Sequence, residues 1–226
     1  KLDEGGNIYI TGYTENLTSG EDVILLKVNA TGNLEWMTTW GGTDNEIGYD
    51  LALDPGNNTF ITGSTASYGA SGENIFLLKV NASGFLDWNV TWGGNLPEEG
   101  RAIVMDSSNH TFVAGSTRSF GAGGYDVVLL SHDEEGTLQW EKTWGGPGAD
   151  FGYGIDFSQG RGLFVAGNTS SFQDPHGDAC LINFSATGTE SWNVTWGESS
   201  TDYAHDLTVL DSGTIFLAGS TKSKGD

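Results

Sequence analysis

Nine asparagines stand in the tripeptide Asn-x-Ser/Thr: Asn16, Asn29, Asn57, Asn81, Asn89, Asn109, Asn168, Asn183 and Asn193. That tripeptide accepts N-linked glycans, a modification that needs the side-chain amide free in solvent with room for a bulky sugar. The competing source of such tripeptides is local structure, because asparagine favours tight turns and threonine favours strands. Turn preference accounts for Asn29 or Asn57 but not for Asn89, which falls inside an alternating run. Glycosylation of most of the nine is the expectation, and it places the chain outside the cell or on its surface. The single cysteine, Cys180, allows no disulfide within this stretch, which favours an archaeal surface over a eukaryotic secretory route.

Two series of acids recur at regular spacing. One is Glu46, Glu98, Asp150 and Asp202; the other is Asp22, Asn74, Asp126, Asp178 and Asp226. Oxygen-rich loops of this kind can hold Ca²⁺, yet none has the spaced ligand pattern of a dedicated calcium loop. The alternative is that these side chains cap turns by accepting backbone N–H bonds, and recur because the turn recurs. No other cofactor is implied. The histidines, His110, His132, His176 and His205, fall at unrelated phases with no metal-ligand spacing. There is no Gly-x-Ser-x-Gly elbow, no glycine-rich phosphate loop and no Ser/His/Asp arrangement. A glycosidase-type carboxylate pair stays open, because which acids converge is decided by the fold. Enzyme sites usually break repeat symmetry, and these repeats differ mostly in their loops, so a non-catalytic chain is expected.

The charge balance narrows the partners. Nine Lys and Arg against thirty Asp and Glu leave a net charge of -21. No basic patch can neutralise phosphates, which excludes nucleic acid, and docking on anionic lipid is excluded likewise. The longest apolar runs are strand-length, so no membrane insertion is expected in this segment. Other copies of the chain, or surface-layer proteins, are the expected partners. Eight tryptophans and 12% aromatic content are incompatible with a disordered acidic tail.

The elements that position these groups are repeated. Trp40, Trp92, Trp144 and Trp196 are spaced by 52 residues, as are Trp36, Trp88, Trp140 and Trp192; Gly63, Gly115, Gly167 and Gly219 keep the same step, and Gly12 misses it by one. This defines units of roughly 1–42, 43–94, 95–146 and 147–198, with 199–226 a partial fifth. Each unit reads as four strands, illustrated by Tyr49–Asp54, Thr59–Gly63, Ile75–Val80 and Leu86–Trp92. No stretch has a 3.6-residue apolar period, so no helix is expected. In the fourth strand Leu86, Trp88, Val90 and Trp92 alternate with Asp87, Asn89 and Thr91. Period two puts the large groups on one face and the polar ones on the other. One such sheet cannot bury two tryptophans alone, so each needs a neighbouring copy. The expectation is an all-β fold, a β-propeller of four-stranded antiparallel blades. Just over four blades are present, read as a segment of a larger propeller or array, with paired indoles expected to fill a dry seam between copies. Cys180 shares a phase with Ile24, Phe76 and Val128, and reads as a buried small hydrophobe.

The run Trp40-Gly-Gly-Thr-Asp-Asn-Glu-Ile-Gly-Tyr-Asp-Leu-Ala-Leu-Asp-Pro-Gly-Asn-Asn-Thr-Phe-Ile-Thr-Gly-Ser-Thr65 resembles the SBBP repeat, a β-propeller repeat of secreted and surface proteins. The likeness recurs in every copy. The fourth departs from it at Glu198 and at Gly213-Thr214. It implies a scaffold without a defined catalytic motif. A fainter resemblance, carried by Asn29-Ala-Thr-Gly-Asn-Leu-Glu-Trp36, is to the Thr-Gly-x-x-x-Trp docking pattern of quinoprotein-type propellers, which is itself a packing device and implies no quinone.

Together these features point first to an extracellular, N-glycosylated, non-catalytic structural repeat protein of a surface layer, stalk or filament. The second possibility is a propeller binding module for a saccharide, a cation or a protein. The third is an enzyme of quinoprotein-like or polysaccharide-active type. The variable segments Thr14–Glu21, Thr65–Glu73, Thr117–Tyr125 and Thr169–Gly177, between the second and third strands, are where a binding face is expected to show.

Overall fold

The computed structural model describes residues 1–16, 20–172 and 176–222. The side chain of Asn16, the Thr18 of its sequon, and Asp226 lie outside that set. Among the described residues every regular element is a strand, and no helix is long and apolar enough to cross a membrane.

The strands form antiparallel meanders in chain order. The first sheet holds β1 (Ile8–Asn16), β2 (Gly20–Val28) and β3 (Leu34–Trp40). The second holds β4 (Glu46–Leu53), β5 (Thr59–Thr65), β6 (Asn74–Val80) and β7 (Leu86–Trp92). The third holds β8 (Glu98–Met105), β9 (Thr111–Thr117), β10 (Asp126–His132) and β11 (Leu138–Trp144). The fourth holds β12 (Asp150–Ser158), β13 (Gly162–Thr169), β14 (Asp178–Phe184) and β15 (Glu190–Trp196). The last pairs β16 (Asp202–Val209) with β17 (Ile215–Thr221). The four-strand unit read from residues 49–92 is therefore present, with three strands bounded differently: the first runs Glu46–Leu53, the second reaches Thr65 and the third starts at Asn74. Its first strand begins at Glu46, because Gly48 pairs directly with Gly63 rather than breaking the ladder.

The middle strands of each full sheet are buried at every position, as in β5, β6, β9, β10 and β14. Both of their faces must therefore be covered, and the core divides into seams between consecutive sheets. Leu51, Ile61, Phe76 and Leu78 meet Tyr9, Val23 and Leu25 of the first sheet. The opposite face of the second sheet, with Phe60, Ile75 and Leu77, meets Ile103, Val113, Val128 and Leu130 of the third. The third and fourth sheets share Val127, Leu129, Leu163, Val165, Cys180 and Ile182, and the fourth and fifth share Phe164, Leu181, Ala204 and Leu207. Cys180 is fully buried as a small hydrophobe, and burial pushes its thiol up, far from the reactive thiolate.

The tryptophans sit differently from the expected dry filling. Aliphatic and phenylalanine side chains fill most of the seams, with Trp144 buried among them in one, while Trp36, Trp40, Trp88, Trp92 and Trp140 flank the seams half-buried at the outer strand. The geometry is repetitive. Trp36, Trp88 and Trp140 each lie under a turn glycine of the next sheet, Gly84, Gly136 and Gly188, where an added Cβ would come within about 3 Å of the ring. Trp40, Trp92 and Trp144 each pack on an aromatic ring of the next sheet's loop, Tyr68, Phe120 and Phe172, at 4.9, 5.0 and 5.1 Å between centroids. Trp192 and Trp196 face the two-stranded last sheet and are more exposed, at 41% and 47%. An indole over a turn glycine needs the Cα bare, which accounts for the glycine that recurs four residues before each of Trp88, Trp140 and Trp192.

Candidate functional site

The first strand of each full sheet carries a β-bulge at one repeat position. Tyr49 is extra between the pairs Gly48↔Gly63 and Asp50↔Thr62, and Arg101 is extra between Gly100↔Gly115 and Ala102↔Ala114. Tyr153 and His205 occupy the same place in β12 and β16. A bulge turns one side chain away from the alternation of the strand. Here it aims four side chains of three chemical types into one cavity of about 450 Å³, lined also by Lys1, Asp50, Asp156, Asp206 and Thr208.

The contacts inside the cavity are specific. The Arg101 guanidinium lies 4.3 Å from the Tyr49 ring centroid, a cation–π geometry. Its Nε donates to Glu99 Oε2 at 2.8 Å, and a second guanidinium nitrogen donates to the same oxygen. Lys1 Nζ lies 3.6 Å from Asp50 Oδ1. His205 stacks on Tyr203 with an interplanar angle of 8° and approaches Tyr153 at 6.0 Å. Burial, with Tyr203 next, pushes the Tyr153 phenol up to about 12, so it stays a neutral hydroxyl across physiological pH. Burial also raises Tyr49, opposed by its hydrogen bond to Ser64 and by Arg101. Asp50 Oδ2 accepts from Ile103 N at 3.0 Å and Asp156 Oδ2 from Val209 N at 2.7 Å, so both carboxylates also brace the next first strand. His205 and Asp206 are exposed at the cavity. The assembly offers aromatic faces beside hydrogen-bond donors and acceptors, and His205 Nε2 lies 3.1 Å from Ser220 Oγ.

This site lies elsewhere than the loops between second and third strands. Those loops are tied to their neighbours, as in Glu98 N to Glu73 O, Asp150 N to Tyr125 O and Asp202 N to Gly177 O. The signal in the sequence is a column of polar or aromatic side chains, Tyr49, Arg101, Tyr153 and His205, each preceded by Gly or Ala. The assignment of His205 to an unrelated phase missed it.

The acids occupy turns. Glu46 and Glu98 are fully buried. Glu46 accepts from Gly42 N at 2.7 Å, Thr65 Oγ1 at 2.8 Å and Ser67 N at 3.0 Å, and Glu98 repeats this with Gly94, Thr117 and Ser119. Asp150 does the same with Gly146, Thr169 and Ser171. Asp54 and Asp106 close the turns after first strands, accepting from Gly56 and Asn58 or from Ser108 and His110. Among the described residues no group of three or more His, Cys, Asp or Glu is placed to hold a metal.

The asparagines divide into three sets. Asn29 and Asn81 close turns through Oδ1, accepting from Thr31 N at 3.0 Å and from Ser83 N at 3.0 Å. Asn57 and Asn109 are the non-glycine residues with positive φ, 62° and 61°, a turn conformation that asparagine tolerates. Asn168 and Asn183 correct the expectation that every sequon faces solvent. Both are buried, at 6% and 5% exposure. Asn168 Nδ2 donates to Asp202 O at 2.7 Å, and Asn183 Nδ2 donates to Arg161 O and Leu163 O, each at 3.1 Å. Their amides are spent on the fold because both stand on inner strands, β13 and β14, with covered faces. Asn89 and Asn193 stand exposed on outer strands.

No family model matches the chain. The regulatory protein FlaEY of Caulobacter vibrioides is 27% identical over 139 residues, covering 52% of this chain and 15% of that protein. A crystal structure of a protein of unknown function from Bacteroides caccae aligns with a TM-score of 0.58 at 11% identity, covering 94% of this chain and 64% of that one. The chain thus spans less than two thirds of either, and at 11% identity the structural likeness is one of fold.

Proposed function

We propose that the sheets are propeller blades of the SBBP type and that the chain is a non-catalytic, extracellular recognition module holding a saccharide in the cavity between its first strands. The observation that carries this is the bulge column: four copies keep the bulge and the glycine across from it, yet present Tyr, Arg, Tyr and His to one cavity. Gly63, Gly115, Gly167 and Gly219 stay constant opposite the bulge, whereas the bulged residues vary in chemistry. First strands of consecutive sheets facing one cavity also support a radial arrangement. A sugar ring matches the lining, with C–H faces for the tyrosines and hydroxyls for His205, Asp206 and Thr208. Asp50, Asp156 and Asp206 at the cavity, on a chain of charge -21, disfavour acidic sugars.

Calorimetric titration with neutral, amino and acidic monosaccharides and their oligomers tests this. Neutral or amino sugars are expected to bind, with His205→Ala and Asp206→Asn, both exposed and peripheral to the core, each weakening binding about tenfold, or 1.4 kcal/mol. Absence of saturable binding across the panel, or unchanged affinity in both variants, overturns the saccharide assignment.

A second role, as a glycosylated surface scaffold built with other copies of the chain or with surface-layer proteins, is favoured by Asn89 and Asn193, which are exposed and have no turn to close. Glycopeptide mapping of native material is expected to find sugar at these two and none at Asn168 or Asn183. Bare Asn89 and Asn193 remove the scaffold's glycan coat.

A further inference from the structure

The two series of acids converge. Beneath each Trp-Gly corner, one member of each reaches the space where a Cβ on the first glycine would stand: Asp22 and Glu46 at Gly41, Asn74 and Glu98 at Gly93, Asp126 and Asp150 at Gly145, and Asp178 and Asp202 at Gly197. At Gly145 the approaches are 2.3 Å for Asp126 Oδ1 and 2.4 Å for Asp150 Oδ2. The acids come from different sheets, β10 and β12, so the corner joins two copies.

We infer that the Asp126–Asp150 corner is a proton-dependent latch between the third and fourth sheets, loosened when both carboxyls are charged and tightened when Asp126 takes up a proton. Three observations carry this. Both side chains are buried, at 2% and 0% exposure. Asp150 accepts from three donors, Gly146 N, Thr169 Oγ1 and Ser171 Oγ, whereas Asp126 Oδ2 accepts from Ala122 N at 2.9 Å. In the second copy an amide replaces the acid. Asn74 is 1% exposed and its Nδ2 donates to Ala70 O at 3.0 Å and Gly72 O at 2.7 Å, so this corner closes with one negative charge, on Glu98.

Around Asp126 the loop contributes Ala122 N, the corner Gly145, and the partner strand Thr117; the charged neighbour that acts on it is Asp150. Burial, with Asp150 adding to it, holds the Asp126 carboxyl above its ordinary value of 3.8. A group raised in the fold contributes stability that is fully present below the unfolded value and is lost as pH rises through the folded one. The corner is therefore tight in acid and looser at neutral pH.

Reciprocal substitutions in the full chain test it, read as differences from the parent so that the general relief of charge repulsion cancels. Asp126→Asn is expected to melt about 3 °C above the parent at pH 7, a gain that vanishes by pH 4. Asn74→Asp, which sets a carboxylate against Glu98, is expected to melt about 6 °C below the parent at pH 7 and to recover at pH 4. Differences that do not change with pH overturn the latch. So does a pair bridged by a cation, which would show as Asp126→Asn melting lower at pH 7 together with a CaCl₂-dependent rise in the parent that EDTA reverses.

Discussion

Replacing Gly115 by alanine is expected to cost at least about 3 kcal/mol, lowering the melting temperature by about 9 °C. The reason lies in the bulge. With Arg101 extruded, the carbonyl of Glu99 turns toward the paired strand, and a Cβ on Gly115 would stand 1.8 Å from that oxygen and 3.0 Å from Gly100 Cα. These are backbone atoms, so no rotamer change relieves the clash. The same contact exists at Gly63, Gly167 and Gly219, against the carbonyls of Ile47, Phe151 and Tyr203 at 1.8, 1.9 and 2.0 Å. Gly12, opposite Ile24 in β2, has open space around its Cα. Gly12→Ala is the matched control, expected to change stability by less than about 1 kcal/mol. Thermal melts of the two variants decide the matter. Equal losses in both would mean that glycine at this column serves strand flexibility and not the bulge.

His132 governs the second large effect, which appears only in acid. It stands on β10 at 4% exposure, in a column otherwise filled by Val28, Val80 and Phe184, and its Nδ1 has no hydrogen-bond partner. Burial pulls the imidazole down to about 4, with Asp133 acting in the opposite direction. A group lowered in the fold contributes stability that is present above the unfolded value, 6.5, and is lost as pH falls toward the folded one. The full loss is about 3 kcal/mol. His132→Val is therefore expected to gain on the parent progressively between pH 6.5 and pH 4, ending about 9 °C higher in melting temperature at the acid end. At pH 7 the gain is limited to about 1 kcal/mol from removing an unsatisfied buried nitrogen. A difference that is constant across this range would show that His132 does not titrate against the fold. The acid loss at His132 opposes the acid gain at Asp126, so the parent's pH profile is a balance of the two, and each variant exposes the other.

Much of this architecture is written along the chain, because period two, turn glycines and spacing by 52 are local or additive properties. The existence and order of four strands follow from residues 46–92 alone, though the first reads as Tyr49–Asp54 and runs Glu46–Leu53, and the burial of Cys180 follows from the company it keeps at its repeat phase. The exposure of Asn89 likewise follows from its place opposite Trp88 in the alternation. What the linear pattern does not carry is convergence. Asn168 and Asn183 look like Asn89 as tripeptides, but they stand on inner strands whose two faces are both covered by neighbouring sheets. Asp126 and Asp150 are 24 positions apart and meet only because one sheet ends its loop where the next begins. Tyr49, Arg101, Tyr153 and His205 read as unrelated residues until a bulge, set opposite a glycine of the next strand, turns each away from its strand and toward a common space. Side-chain type and period set which residues are strand, turn or core. The packing of sheet on sheet set which charges lie buried together and which polar groups share a cavity, since both depend on distances between segments that no local spacing encodes.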